Sequence, residues 1–132
     1  MQNLHKFKLI SQQYFLEGDF EIMDESLIKV AETSQIPVGK MQLFKIDDKN
    51  ILICNLDGKF YAMNGKCTHM GGDLSKGNLE GNVLTCPRHH SKFDVTTGKV
   101  ISHPKMALLH PKIKDEKTYQ LIVQNENIKI KL

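Results

Sequence analysis

Two cysteines in this chain are each followed closely by a histidine. The first pair is Cys67-Thr68-His69; after sixteen intervening residues comes Cys86-Pro87-Arg88-His89. A thiolate and a neutral imidazole are both good ligands for iron or zinc. Four of them suit either one tetrahedral zinc ion or a two-iron cluster. Zinc fingers usually place cysteine with cysteine and histidine with histidine. Here each pair holds one of each, which suits a cluster whose irons each take one ligand type from both loops. A structural zinc module is the second assignment.

The elements that must hold these loops read as strands. From Leu27 onward short β-rich runs alternate with turn signals: LIKVAET (27–33), MQLFKI (41–46), ILICNL (51–56) and KFYAMN (59–64). Residues 47–50 and Asp57-Gly58 are the turns between the last three. Residues 82–85, 92–95 and KVIS (99–102) are further short strands. The C-terminal stretch from Lys112 supplies three more, with turns at residues 115–117 and 124–127. The pattern predicts an all-β antiparallel sandwich or barrel. Between Asn64 and Asn82 it stops, and Gly65, Gly71, Gly72, Gly77 and Gly81 crowd the gap. A long loop without secondary structure, rich in ligand-type residues, is expected to be functional. Before Leu27, Phe7, Ile10 and Tyr14 fall near helical spacing, so residues 1–26 are expected to form an extension, a short helix or a packing arm.

The chain has 132 residues, 40% hydrophobic and 25% charged, which fits a single domain with its own core. No apolar run approaches the roughly 18 residues that cross a bilayer, and no secretory signal opens the chain, so a cytoplasmic protein without a membrane partner is expected. Three cysteines make a poor disulfide framework. Cys54, inside ILICNL, reads as a buried core thiol. The formal charge of +3 is too small to point to nucleic acid. Its distribution is informative: residues 66–105 carry Lys66, Lys76, Arg88, Lys92, Lys99 and Lys105 against Asp73, Glu80 and Asp94, so the whole excess lies around the Cys/His pairs.

The stretches CTHMGG (67–72) and CPRHHSKFDVTTGKV (86–100) resemble the two ligand loops of the Rieske-type ferredoxins, and the likeness extends over residues 27–132 through KVAETSQIPVGK and DGKFYAMNGKC. The resemblance implies a Rieske-like domain at 27–132 with an inserted cluster-binding subdomain of two loops. It implies one [2Fe–2S] cluster, with Cys67 and Cys86 on the inner iron and His69 and His89 on the outer one. Two ferric ions, two sulfides and two thiolates sum to zero charge, so an electron enters more readily than in a four-thiolate cluster. The role implied is a one-electron carrier with no catalytic residues, taking electrons from a reductase and passing them to an oxygenase or similar enzyme. The basic excess suggests acidic docking faces on these partners. A small Rieske subunit of a larger redox enzyme, such as a nitrite reductase, is the alternative.

Several positions depart from the family pattern. Membrane-complex Rieske proteins tie their loops together with two further cysteines; Gly72 and Arg88 stand at those positions. Phe93 stands where a tyrosine donates to a ligand sulfur, and lacks the hydroxyl. Ser91 remains as a donor toward the cluster. These features together place the potential toward the low end of the Rieske range. His90 stands where glycine is usual, which strains the backbone if it is left-handed there. Gly71 and Gly72 are expected to permit tight backbone geometry, and Pro104, in SHPK (102–105), to shield the cluster. His5 and His110 read as surface residues.

Overall fold

The computed structural model describes residues 7–10, 13–16, 26–106, 108–109 and 111–132. Two strands, β1 (Phe7–Ile10) and β2 (Gln13–Leu16), pair antiparallel with Ile10 opposite Gln13. The helical spacing noted above therefore does not become a helix at these residues. FKLI and QYFL are rich in aromatic and branched side chains, which suit a paired extended backbone. The remainder of residues 1–25, the packing-arm expectation and the surface readings of His5 and His110 lie outside the described residues.

The domain is organised around one strand. β4 (Met41–Ile46), β5 (Lys49–Leu56) and β6 (Lys59–Asn64) form a meander, extended at its edge by β11 (Thr118–Tyr119), in the order β11-β6-β5-β4. Every residue of β5 from Ile51 to Asn55 is buried. Successive side chains of a strand point to opposite faces, so an uninterrupted apolar run means that both faces are covered. Ile51 and Ile53 pack with Ala31, Ile36, Ala62, Ile128 and Ile130. These come in part from the second sheet, β3 (Leu27–Glu32), β12 (Leu121–Gln124) and β13 (Asn127–Lys131), in the order β12-β13-β3. Leu52 and Cys54 pack the other way, with Met63, Cys67, Leu74, Leu84, Cys86, Phe93 and Val95. That second core belongs to the third sheet, β7 (Asn78–Glu80), β8 (Val83–Thr85), β9 (Lys92–Asp94) and β10 (Val100–Ser102), and it contains both paired cysteines. Cys54 is the core thiol its strand implied; burial pushes its pKa up to about 12 and leaves it unreactive.

The hairpins are tighter than the sequence pattern suggested. Ile46 pairs with Lys49, so the first turn is Asp47-Asp48 alone and not residues 47–50. Asp57-Gly58 and Asn125-Glu126 are likewise two-residue turns with positive φ at both positions. Such turns match the twist of the strands they join. Two further readings are corrected. The glycine-rich interval 64–82 contains a strand, β7, whose alternation was too short to register. Residues 112–117 form no strand; the three closing strands are β11, β12 and β13. Glu116, read as part of a turn, is 3% exposed.

The two-faced burial of β5 has a measurable consequence. Leu52→Ala and Ile53→Ala should each cost about 2–5 kcal/mol in urea denaturation. Only Leu52→Ala, on the face shared with Cys67 and Cys86, should also lower the iron content of the purified protein.

Candidate metal centre

The two Cys/His pairs sit in loops built on one plan. Loop one spans residues 67–72, and the flanking residues Lys66 and Asp73 form an isolated antiparallel bridge. Loop two spans residues 86–91, and its flanking residues Thr85 and Lys92 are paired in β8 and β9. In loop one the Cys67 carbonyl accepts from Gly71 N–H and the Cys67 N–H donates to the Gly72 carbonyl, both at 2.8 Å. In loop two the Cys86 carbonyl accepts from His90 N–H at 3.2 Å, and the Cys86 N–H donates to the Ser91 carbonyl at 2.8 Å. Both chains close by passing through the left-handed region at the fifth loop residue, Gly71 at φ +70° and His90 at φ +63°. Gly71 and His90 are therefore structural equivalents, which accounts for glycine being expected at position 90. Histidine is among the better tolerated non-glycine residues at positive φ, at some cost in strain.

His69 is the third residue of its loop and His89 the fourth, yet their rings meet edge-on with centroids 5.0 Å apart. His90 is exposed and lies outside this pair.

Beneath the imidazoles lie the thiols. Cys67 is 4% exposed and Cys86 2% exposed. Burial pushes the Cys86 thiol pKa up, opposed by the backbone N–H groups of Arg88 and His89; the neighbouring Cys67 adds to the rise. In the absence of a bound metal, the Cys86 sulfur therefore has reason to stay protonated. Ser91 Oγ, at the end of loop two, lies 3.4 Å from Cys67 Sγ of loop one and links the loops across the site. Phe93 is fully buried in the same core as both cysteines.

The positions where a loop-to-loop disulfide was noted as absent are indeed neighbours. A Cβ on Gly72 would stand 3.2 Å from Cys86 Sγ and 3.3 Å from Arg88 Cγ and Cδ. The stem of Arg88 thus covers Gly72, and any side chain there would press on the sulfur. Pro104 is fully buried next to Lys105, whose N–H donates to the His89 carbonyl at 3.0 Å. His103 Nδ1 accepts from Ile113 N–H at 3.2 Å, closing the loop that follows.

The donor set fits a two-iron cluster. The Nδ1 atom of His89 is buried and has no hydrogen-bond partner, a costly condition for an imidazole unless a ligand completes it. Cys67 and Cys86 are buried in the core, and His69 and His89 meet as a ring pair.

The family model for the Rieske [2Fe-2S] domain matches residues 26–115. The chain belongs to the Rieske [2Fe-2S] domain family. It is 36% identical over 110 residues to the ferredoxin component of the naphthalene 1,2-dioxygenase/salicylate 5-hydroxylase systems of Ralstonia sp., covering 83% of this chain and 99% of that one. It is 33% identical over 110 residues, with the same coverage, to the ferredoxin component of the 2,4-dinitrotoluene dioxygenase system of Burkholderia sp. strain RASC. Among solved structures it resembles a chain in the complex of reduced oxygenase and oxidized ferredoxin of carbazole 1,9a-dioxygenase, with a TM-score of 0.68 and 25% identity over 78% of this chain and 99% of that one. Like these relatives, the Rieske domain described here is an electron carrier and not itself an enzyme. Among the described residues no helix is long and apolar enough to cross a membrane.

Three features near the Rieske site had no signal in the sequence. Thr68 donates its N–H to Glu116 Oε2 at 2.8 Å and its hydroxyl to the Lys114 carbonyl at 2.6 Å. Met70 is 54% exposed beside His69, and Leu108 and Leu109 are 95% and 70% exposed in the loop that follows Lys105.

Glycine at position 90 removes the strain of a left-handed histidine, offset by the added freedom of the unfolded chain. His90→Gly should leave unfolding free energy equal to wild type or raise it by up to about 1 kcal/mol, while the branched His90→Val should lose about 1–2 kcal/mol. Thermal denaturation of the three proteins decides it.

Proposed function

We propose that Cys67, Cys86, His69 and His89 hold one Rieske-type [2Fe–2S] cluster, and that the chain works in the cytoplasm as a one-electron carrier between a reductase and a terminal oxygenase. The observation that carries this reading is the layering of the site, with two thiols buried in the core and two imidazoles meeting edge-on above them. The bound cluster would take up one electron and pass it on. The chain's own residues set the conditions for that exchange. Leu84, Phe93 and Val95 keep water from the sulfurs, which strengthens every electrostatic term there. Backbone N–H groups of Arg88 and His89 favour the thiolate of Cys86. The His69 and His89 edges form the shortest path outward, so no donor group has to move.

The ligand assignment has a direct test. His69→Ala and His89→Ala should each abolish the EPR spectrum of a Rieske centre and reduce bound iron, whereas His90→Ala should keep both. A cluster that survives His89→Ala but not His90→Ala overturns it.

Both charge and apolar surface are available for docking. Arg88, Lys92 and Lys105 are exposed, and so are Met70, Leu108 and Leu109. A transient partner with an acidic rim and an apolar centre fits these side chains: the charges raise the encounter rate and the apolar contacts hold the complex. Exposed leucines also favour the second reading, a permanent subunit of a larger redox enzyme. Stopped-flow electron transfer separates the two. For a carrier, Lys105→Glu should slow association and weaken its salt dependence. Leu108→Asp should raise the apparent Kd about tenfold, the loss of one buried leucine contact being about 1.5 kcal/mol or more. A rate independent of salt and of both substitutions, from a protein that purifies only with a partner, favours the subunit.

A further inference from the structure

Among the described residues Glu116 is the only charged side chain that is buried. The two other buried polar side chains have ready partners: Asn55 donates to the Ile36 carbonyl at 2.8 Å, and Ser91 sits against Cys67. Glu116 is served on one side only. Its Oε2 accepts from Thr68 N–H at 2.8 Å, while Oε1 is buried without a hydrogen-bond partner. A carboxylate is rarely buried without a cation, because desolvation costs several kcal/mol. Among the described residues no cation forms an ion pair with this one. On its own segment Lys114 and Lys117 are exposed, with Lys117 Nζ 4.9 Å from the Tyr119 ring centroid, and Asp115 is exposed with its carboxylate accepting from Val100 N–H. From β6 the Asn64 amide faces it, from loop one Thr68, and from the turn before β10 the Gly98 carbonyl, which accepts the Glu116 N–H at 2.7 Å.

The partner that Glu116 does have is informative. Thr68 is the single residue between Cys67 and His69. Its peptide N–H is held by Glu116 and its hydroxyl by the Lys114 carbonyl, so two contacts from a distant segment fix the middle of loop one. From the segment that follows it, loop two is held by Lys105 N–H on the His89 carbonyl. Loop one has no disulfide and no covalent tie to loop two, so its internal hydrogen bonds, the Ser91 contact on Cys67 and this clamp hold Cys67 and His69 in place.

We infer that Glu116 is a positioning residue for the ligands Cys67 and His69, and that its carboxylate, when ionised, lowers the reduction potential of the cluster. The inference rests on the reading of these loops as cluster ligands given above. The first part follows from the clamp. The second follows from Coulomb's law: a negative charge one residue from two ligands, in a medium of low dielectric, opposes the arrival of an electron. The carboxyl can also change state near neutrality. Burial pushes its pKa up to about 7, with the Thr68 N–H pulling the other way. Between the ordinary glutamate range and about 7 the folded chain keeps a proton that the unfolded chain has lost, so Glu116 favours folding at low pH and that contribution disappears as pH rises through about 7.

The test compares the holoprotein with Glu116→Gln and Glu116→Ala, at about pH 5.5 and about pH 8.5. Glutamine keeps an oxygen for Thr68 N–H and removes the charge. Its EPR g-values should match wild type; its potential should equal wild type at the lower pH and exceed it at the higher. In denaturant unfolding its stability relative to wild type should increase between the two pH values. Alanine removes the clamp as well, so it should shift or broaden the g-values and release iron several-fold faster at both pH values. A Glu116→Gln protein whose potential tracks wild type at both pH values overturns the electrostatic part, and it does so even if the alanine variant fails to fold. Alanine g-values and iron release identical to wild type overturn the positioning part. A wild-type protein without iron or a Rieske signal would instead sink the cluster assignment, and the unfolding comparison would still report on the buried carboxyl.

Discussion

Two thiols have to be taken out of water and held at a fixed separation by loops that share no covalent bond. The rest of the domain follows from that constraint. Cys67 and Cys86 are not merely near a core; they are part of it, in contact with the cluster of side chains under the third sheet. Their burial is made possible by β5, which presents Leu52 and Cys54 to that core while giving Ile51 and Ile53 to the core of the other sheet pair. A strand covered on both faces is hard to displace, because any shift opens two packed interfaces at once. The cysteines of both loops pack in one core with Leu52 and Cys54 of this doubly covered strand.

Rigidity beneath the site is matched by local closure within it. Each loop folds back on its cysteine through the same two backbone hydrogen bonds and the same left-handed fifth residue. The pair of loops meets through the Ser91 hydroxyl on Cys67 and through the stem of Arg88 over Gly72. These are weak links compared with a disulfide, and they are distributed. Packing, one hydroxyl contact and the outer pins at Thr68 and His89 hold the two loops without a covalent bond between them.

The electrostatic design separates two tasks. Inside, low dielectric and nearby backbone dipoles act on the sulfurs, and Glu116 adds a buried carboxyl at the back of loop one. Outside, the exposed basic residues Arg88 and Lys92 and the exposed Met70 lie on or next to the two loops in sequence, and Lys105, also exposed, is hydrogen-bonded to loop two. Exposed charges are screened by salt and affect encounter; charges at the back are shielded from solvent and affect the bound group itself. A protein that exchanges one electron with two different partners can thus vary its docking surface without disturbing its redox centre.

The candidate ligand residues stood out in the chain because their chemistry is local: a cysteine and a histidine two or three residues apart are noticeable without help from the fold. So did the all-β class, since strand alternation and two-residue turns are short-range signals, and so did the unusual His90, set against the family pattern. The exact turns, the short strand β7 and the extended pairing at residues 7–10 and 13–16 did not, because elements of three or four residues carry too little periodicity to separate strand from loop or helix. What only the tertiary structure decided were the contacts between segments far apart in sequence. Nothing in Asp-Glu-Lys at 115–117 distinguishes a surface turn from a buried carboxyl bound to the peptide of Thr68, 48 residues earlier. Burial and partnership are properties of the whole packed molecule, whereas ligand identity and backbone preference belong to a few adjacent residues.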